Sequence, residues 1–199
     1  MDKYLILMPN DLPVENKNNM KKTFLFFLFM SSSVSLLCQG NLISLSGGYA
    51  FSSYADIETN AKGWRVNGSY EFNRMGSNIA NGIVIGFVSL HAEDDDGSNY
   101  DISTVPFYYA PRFFFGSGKI KGFIKGALGM QRSWLKRSGP VGDWEDKDFG
   151  FAGGAGLGAN YFINEKFFLN AEYELLWCSN SYYRDGLLNT ASLGIGVRF

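Results

Sequence analysis

The sequence of 199 residues has few cysteines and histidines and almost no net charge. The cysteine count excludes a type of covalent framework, and the charge argues against one class of partner. The sequence contains two cysteines and one histidine, and its formal net charge is −1. Because Cys38 lies in a predicted leader, the mature chain keeps only Cys178, which excludes an intrachain disulfide framework. The absence of a basic excess argues against nucleic acid as a partner. Beyond residue 40, no apolar run reaches the roughly 20 residues that a membrane-spanning helix needs.

The N-terminal part has the pattern of a secretory signal peptide. Met20 is followed by two lysines, an apolar run and a serine-rich exit that ends at Gly40. The run is short for a membrane anchor, and lipidation at Cys38 is disfavoured because the large Leu37 precedes it. Residues 1–19 fit no targeting pattern and are interpreted as a gene-model extension. We therefore assign 20–40 to a signal peptide and 41–199 to the folded domain.

Aromatic residues and glycine are abundant, and they follow an alternating pattern. Aromatics make up 17% of the chain and glycine supplies 24 residues, against five prolines. From Asn41 onward, apolar and polar positions alternate, whereas no 3.6-residue period appears; this predicts β-strands. In the clearest strand, Trp64 to Phe72, the face opposite the apolar one carries charged and polar side chains, namely Arg65, Asn67, Ser69 and Glu71.

Eight such segments are predicted, at 42–53, 64–72, 79–91, 104–115, 120–134, 149–162, 169–178 and 190–199. Short connections follow the second, fourth and sixth strands, and longer ones follow the others, the longest at 135–148. An even strand number with alternating short and long connections is typical of an outer-membrane barrel, with short periplasmic turns and longer extracellular loops. A soluble barrel would turn its apolar face inward. The prediction is therefore an all-β, eight-stranded, antiparallel up-and-down transmembrane barrel.

Two details of this barrel stay open. The third strand is apolar on both faces, so its orientation is not fixed by the pattern. Pro106 and Pro111 fall inside the fourth strand, where proline cannot donate to the ladder and a closed barrel offers no free edge. We expect a bulge or an interrupted ladder there.

The C-terminal Val197-Arg198-Phe199 and the glycine-rich run Gly153–Gly158 carry a resemblance. The domain resembles the small outer-membrane β-barrel proteins of Gram-negative bacteria, the OmpA-barrel and OmpX-like superfamily, and especially the porin-family proteins of Bacteroidetes. The resemblance implies location in the cell outer membrane, among its lipid and lipopolysaccharide. It also implies that Phe199 is the assembly signal read by the barrel-insertion machinery.

The polar faces, turned inward, place eight charged residues in the lumen: Arg65, Glu71, Arg112, Lys121, Lys125, Glu172, Glu174 and Arg198. An eight-stranded barrel is just wide enough inside for side chains to fill it, and unpaired buried charge is costly. We therefore predict a lumen packed with ion pairs and closed to solutes, with Arg198 directed towards Glu71 or Glu172. The alternative is a narrow porin-like channel or conduit for small solutes.

Aromatic residues at strand ends predict an interfacial girdle, composed of Trp64, Tyr109, Trp134, Tyr161 and Trp177. Aromatic residues in the predicted loops have a second possible role, because such rings also stack on carbohydrate. The residues concerned are Trp144, Tyr182 and Tyr183.

Catalytic and metal-binding groups are sparse. His91 lies beside Ser89, with Glu93 or Asp94 as a possible third group, but all of them fall in one local stretch. The acidic run 93–96 lacks the spacing of a calcium loop, and such a run is usually solvated. The sequence predicts no enzyme, no cofactor and no metal site.

Overall fold

The structure is a computed structural model, and it describes residues 40–55, 59–73, 77–95, 97–140 and 142–199. The predicted extension, and the signal peptide up to residue 39, lie outside the described residues. Within them are nine strand segments: β1 (Leu42–Ser53), β2 (Asn60–Asn73), β3 (Ile79–Glu93), β4 (Asn99–Tyr109), β5 (Arg112–Phe115), β6 (Ile120–Ser138), β7 (Trp144–Phe162), β8 (Phe167–Cys178) and β9 (Leu187–Arg198). A single 3₁₀ turn, Arg184–Gly186, precedes β9. No helix in these ranges has the length and apolarity needed to cross a membrane.

The strands form one closed antiparallel barrel. Consecutive strands pair with each other except β4 and β5, and β1 pairs with β9 from Leu42↔Arg198 to Phe51↔Asn189, which closes the sheet. The short β5 and the longer β4 lie end to end between β3 and β6, so the two occupy one strand position. The barrel therefore has eight positions, and the predicted fold class is confirmed.

The join between β4 and β5 lies at Ala110 and Pro111. The Ala110 amide donates to the Gly82 carbonyl at 2.8 Å, and the Pro111 carbonyl accepts from the Gly126 amide at 2.9 Å. The ladder is interrupted where proline lacks an N–H, but both neighbours remain attached, so the wall stays closed. The expected interruption is confirmed.

The outer surface of the barrel is apolar, whereas its charged side chains lie within. Outward side chains such as Leu193 (72% exposed), Phe151 (70%) and Leu128 (69%) stand free of the protein, whereas Arg65 is only 1% exposed. This is the reverse of a soluble barrel and suits a lipid surrounding. The open question of the third strand is also settled, because Ile83 and Ile85 face outward while alternate residues of β3 are buried.

Connections at the two ends differ. The first and last described residues, Gly40 and Phe199, lie at one end together with the connections 74–78, 116–119 and 163–166, and the connections 54–59, 94–98, 139–143 and 179–186 lie at the other. We call these the periplasmic and extracellular ends, following the predicted orientation.

The predicted loop at 135–148 was wrong, because β6 and β7 remain paired up to Arg137↔Trp144. Both strands have 19 residues, more than the roughly 9–11 that cross a bilayer. Their paired ends therefore extend beyond the membrane at the extracellular end as a hairpin.

Two apolar clusters fill the ends of the lumen. The periplasmic cluster is small and consists of Leu42, Ala80, Phe114, Phe123 and Phe168. The extracellular cluster is larger and includes Val88, Ile102, Leu135, Leu176 and Leu188. In β8 the inward Glu172 and Glu174 lie between the Phe168 and Leu176 positions of these clusters, which locates the polar layer between them.

Candidate functional site

Six of the predicted lumen charges form one chain of buried ion pairs. Arg65 contacts Glu174 at 2.5 Å, and Glu174 contacts Lys125 at 2.9 Å. Lys125 also contacts Glu172. Arg112 Nη2 lies 2.7 Å from Glu172 Oε2, and Arg112 Nη1 lies 2.5 Å from Glu71 Oε1, so Arg112 links these two carboxylates. The charges alternate in sign from one end of the chain to the other, so three positive and three negative groups cancel inside the barrel.

The alternation of side chains along each strand brings these charged groups together inside the barrel. Glu172 and Glu174 are two residues apart on β8 and so share its inward face. The glycine-rich β7 leaves the space opposite: a Cβ on Gly156 would lie 3.2 Å from Lys125 Cε, and one on Gly158 would lie 2.6 Å from the Phe123 ring. The inward glycines therefore make room for Lys125 and Phe123, and Arg112 stacks on that same Phe123 ring at 4.4 Å.

Tyr108 also belongs to the chain of charges, although the alternating pattern did not indicate this role. Its hydroxyl donates to Glu174 Oε1 at 2.8 Å and accepts from Arg65 Nη2 at 2.8 Å. Arg65 further donates to Asn67 at 2.6 Å and to Thr190 at 3.1 Å. An inward tyrosine among charged residues was the available signal, since a buried phenol normally finds a polar partner.

Lys121 and Arg198 lie outside the ion-pair chain. They line a shallow pocket at the periplasmic mouth, and Lys121 Nζ lies 5.7 Å from the centre of the Phe162 ring. The expected contact of Arg198 with Glu71 or Glu172 was wrong. Arg198 is the last residue of β9 and is exposed at the mouth, while those two carboxylates bind Arg112 and Lys125.

The extracellular mouth is covered by residues 179–186, which we call the cap. The Tyr183 hydroxyl lies 2.6 Å from Thr104 Oγ1, and the Tyr182 hydroxyl donates to Asp146 Oδ2 at 2.9 Å. Asn180 Nδ2 donates to Ser133 Oγ at 3.1 Å. These partners belong to β4, β6 and β7, so the cap is tied to three strands.

Both cap tyrosines are buried, so the suggested carbohydrate stacking by Tyr182 and Tyr183 was wrong. Their rings belong to the extracellular apolar cluster instead. Burial raises the pKa of Tyr183 above its ordinary value, and burial together with the Asp146 hydrogen bond raises the pKa of Tyr182. Both hydroxyls therefore remain protonated at neutral pH. Trp144, the third loop aromatic, is exposed at the start of β7.

The predicted girdle residues all stand on outward faces. Trp64 and Trp177 are about half exposed towards the extracellular end, and Trp134 is partly exposed there. Tyr109 and Tyr161 face outward in the periplasmic half. At that end the Phe199 amide donates to the Asn41 carbonyl at 3.0 Å, and its ring lies 6.5 Å from that of Tyr70. The girdle and the assembly signal remain predictions.

His91 finds a partner that its own neighbourhood did not suggest. Its Nδ1 lies 2.8 Å from Asp101 Oδ1 on the adjacent strand, and both side chains are exposed. Ser89 shares the outward face but forms no hydrogen bond with His91 in the described ranges. The same ranges contain no group of three or more His, Cys, Asp or Glu side chains arranged to hold a metal ion.

Residues 23–199 match the family model described as the outer membrane protein beta-barrel domain. The chain belongs to this family. Its location is the cell outer membrane, in agreement with the outward apolar surface and the charged lumen. No curated protein matches the sequence.

Solved outer-membrane barrels have the same fold at low sequence identity. The Neisserial surface protein A matches with a TM-score of 0.61 and 13% identity, covering 80% of this chain and 97% of its own. Ail, the attachment invasion locus protein of Yersinia pestis, matches with 0.53 and 21%, covering 81% and 99%. A major outer membrane protein of Thermus thermophilus matches with 0.50 and 10%, covering 79% and 99%.

Proposed function

We propose that this outer-membrane barrel is closed to solutes and acts through its extracellular surface. The observation that carries the proposal is the ion-pair chain from Arg65 to Glu71. Its charges neutralise one another and occupy the width of a barrel that leaves little space beyond its side chains. An ion entering this layer would have to separate buried pairs, which is costly.

The cap supports closure at a second level. It brings Tyr182 and Tyr183 into the extracellular apolar cluster at the mouth of the lumen. A solute arriving from outside would therefore meet buried tyrosines and aliphatic side chains before it reached any charge. Two barriers of different chemistry in series favour a closed barrel over a channel.

The projecting β6–β7 hairpin supports a role in surface contact. It extends beyond the length that a bilayer requires and exposes Trp144 near its tip. Exposed aromatic side chains are favoured in recognition surfaces. In this proposal the protein acts by surface contact rather than by catalysis, and the exposed His91–Asp101 pair is a surface hydrogen bond between neighbouring strands.

A narrow conduit is the competing function, and one observation favours it. In the described part of the lumen, Glu71 Oε2, Gln131 Nε2 and Asn160 Nδ2 are buried without a protein hydrogen-bond partner. Such atoms usually bind water. A continuous file of water through these positions would provide a path for small solutes.

Potassium flux separates the two functions. The protein is refolded into phosphatidylcholine vesicles that contain a potassium-sensitive dye, and a potassium gradient is applied. We expect flux at the rate of protein-free vesicles, both for the wild type and for the cap variant Tyr182→Ala/Tyr183→Ala, because the ion-pair layer remains. Potassium entry through the wild type would support the conduit. Entry through the cap variant alone would show that the cap, rather than the charged layer, closes the barrel.

A further inference from the structure

The outward face of the β6–β7 hairpin changes character just above the membrane. Along β6 the outward positions from Ile120 to Met130 are apolar or glycine, and this range matches the roughly 9–11 residues that cross a bilayer. Arg132 is the next outward position, followed by Trp134. On β7, Lys147 stands opposite Trp134. Arg132, Trp134 and Lys147 therefore lie together at the level where lipid headgroups begin, and we call them the boundary triad.

The boundary triad has the geometry of an anion site. Arg132 and Lys147 are diagonal neighbours across the strand pair, a relation that separates residues by about 7–8 Å and lies within reach of long side chains. The Arg132 guanidinium lies 5.4 Å from the Trp134 ring centre and forms no ion pair within the described ranges. A cation–π contact with the ring uses no N–H···O hydrogen bond, so the N–H groups of the guanidinium stay available to an acceptor.

Acidic neighbours do not neutralise this triad. Asp101 is hydrogen-bonded to His91 at 2.8 Å. Glu145 lies 3.3 Å from Lys147, but both side chains are about half exposed, and such surface pairs contribute little. Glu145 also stands opposite Lys136, one position farther from the membrane. Arg132 is thus the cation nearest the lipid on this hairpin, and Lys147 can exchange its carboxylate for a stronger anion.

We propose that Arg132 and Lys147 bind a phosphate of a lipid A-type glycolipid in the outer leaflet, with Trp134 packed against its sugar and acyl region. The occupant is a membrane lipid rather than a soluble anion, because the site faces outward and adjoins the apolar band. Guanidinium and ammonium groups are the usual partners of phosphate. The proposal depends on the outer-membrane location and not on closure of the lumen.

Native mass spectrometry of the protein in phosphatidylcholine nanodiscs tests this site. Bis-phosphorylated lipid A is titrated into the wild type, Arg132→Gln/Lys147→Gln, and the charge-matched control Lys62→Gln/Lys136→Gln, whose cations are also exposed and outward. We expect roughly 30-fold weaker binding to the first variant, from the loss of two cations near the membrane surface. The control should remain within about twofold, as expected for charges farther from the headgroup.

Three results would overturn the proposal. Equal affinity of wild type and Arg132→Gln/Lys147→Gln would show that the triad does not bind phosphate. Equal weakening in both double variants would show attraction by general surface charge instead of a site. Binding of fully dephosphorylated lipid A as tightly as the bis-phosphorylated form would show that acyl chains provide the affinity. Heat-modifiable gel migration establishes that each variant has formed its barrel before it is measured.

Discussion

Arg65 shows how a charge can be buried inside this barrel. Its guanidinium is almost inaccessible, yet it has the carboxylate of Glu174 and the oxygens of Asn67, Tyr108 and Thr190 as partners. Alternation alone predicted that Arg65 faces inward. It did not predict the partners because, apart from Asn67 on the same strand, they come from β4, β8 and β9, which are distant in sequence, and depend on register.

Removing Arg65 should expose the cost of an unpaired carboxylate. We expect Arg65→Met to lower the free energy of unfolding by about 3–5 kcal/mol, since Glu174 and Tyr108 lose their shared partner. Arg65→Met/Glu174→Met should recover part of this loss, because Lys125 retains Glu172. Urea titration in phospholipid vesicles, followed by tryptophan fluorescence, measures both. The exposed control Lys119→Met should stay within about 0.5 kcal/mol of wild type, and a similarly small effect of Arg65→Met would argue against the buried network.

Deletion of Phe199 tests the prediction that this residue is the assembly signal. Deleting this residue should reduce insertion into the outer membrane while export across the inner membrane continues, whereas Phe199→Tyr should retain insertion because it keeps a terminal aromatic ring. Fractionation of cells, with heat-modifiable migration of the inserted form, measures the outcome. Normal insertion of the truncated chain would refute the signal role.

At the scale of strands, the seam between β1 and β9 depends on a glycine. A Cβ on Gly48 would overlap the Ala191 carbonyl oxygen and lie 2.5 Å from Ser192 Cα, whereas one on the adjacent Gly47 would lie 3.7 Å from the nearest heavy atom. We expect Gly48→Ala to lower the free energy of unfolding by about 1–3 kcal/mol through overpacking. Gly47→Ala, on the outward face, should be neutral. Equal urea midpoints for the two variants would contradict this close approach at the seam.

The contacts of the cap determine how accessible its backbone is to a protease. Arg184 is exposed within the cap, but the flanking Tyr183 is buried and holds the segment against β4. Tyr183→Ala should release the cap, so that trypsin cleaves after Arg184 many times faster than in wild type. The control Trp144→Ala removes an exposed aromatic of the hairpin and should leave this cleavage unchanged. Rapid wild-type cleavage at Arg184 would show that the cap is not held.

The hairpin and the cap also show where prediction from sequence fails. Outward positions of β6 and β7 become charged once the strands leave the membrane, as at Lys136 and Lys147, so the lipid-facing alternation ends and the segment resembles a loop. In the cap, the partners of Tyr182 and Tyr183 are Asp146 and Thr104, which lie 36 and 79 residues away. No local pattern indicates contacts over such distances.

At the scale of the whole molecule, the alternation of apolar and polar positions was sufficient to predict the fold. A lipid environment requires the outward positions to be mostly apolar and every strand to have a partner, so eight alternating segments with a polar face predict a closed barrel before any contact is known. The mouths were less predictable. Arg198 follows the inward parity, but it lies where the wall ends and solvent begins, so parity no longer determines its burial.

Single-channel recording tests the central claim, that ion pairs fill the lumen and close it. The refolded wild-type protein is reconstituted into vesicles that are fused with a planar bilayer at neutral pH, and heat-modifiable migration of the same preparation verifies that the barrel has formed. We predict a baseline without conductance steps under an applied voltage, because Arg65, Lys125 and Arg112 are all neutralised in place by Glu174, Glu172 and Glu71. Reproducible unitary steps from the wild type would contradict the packed lumen.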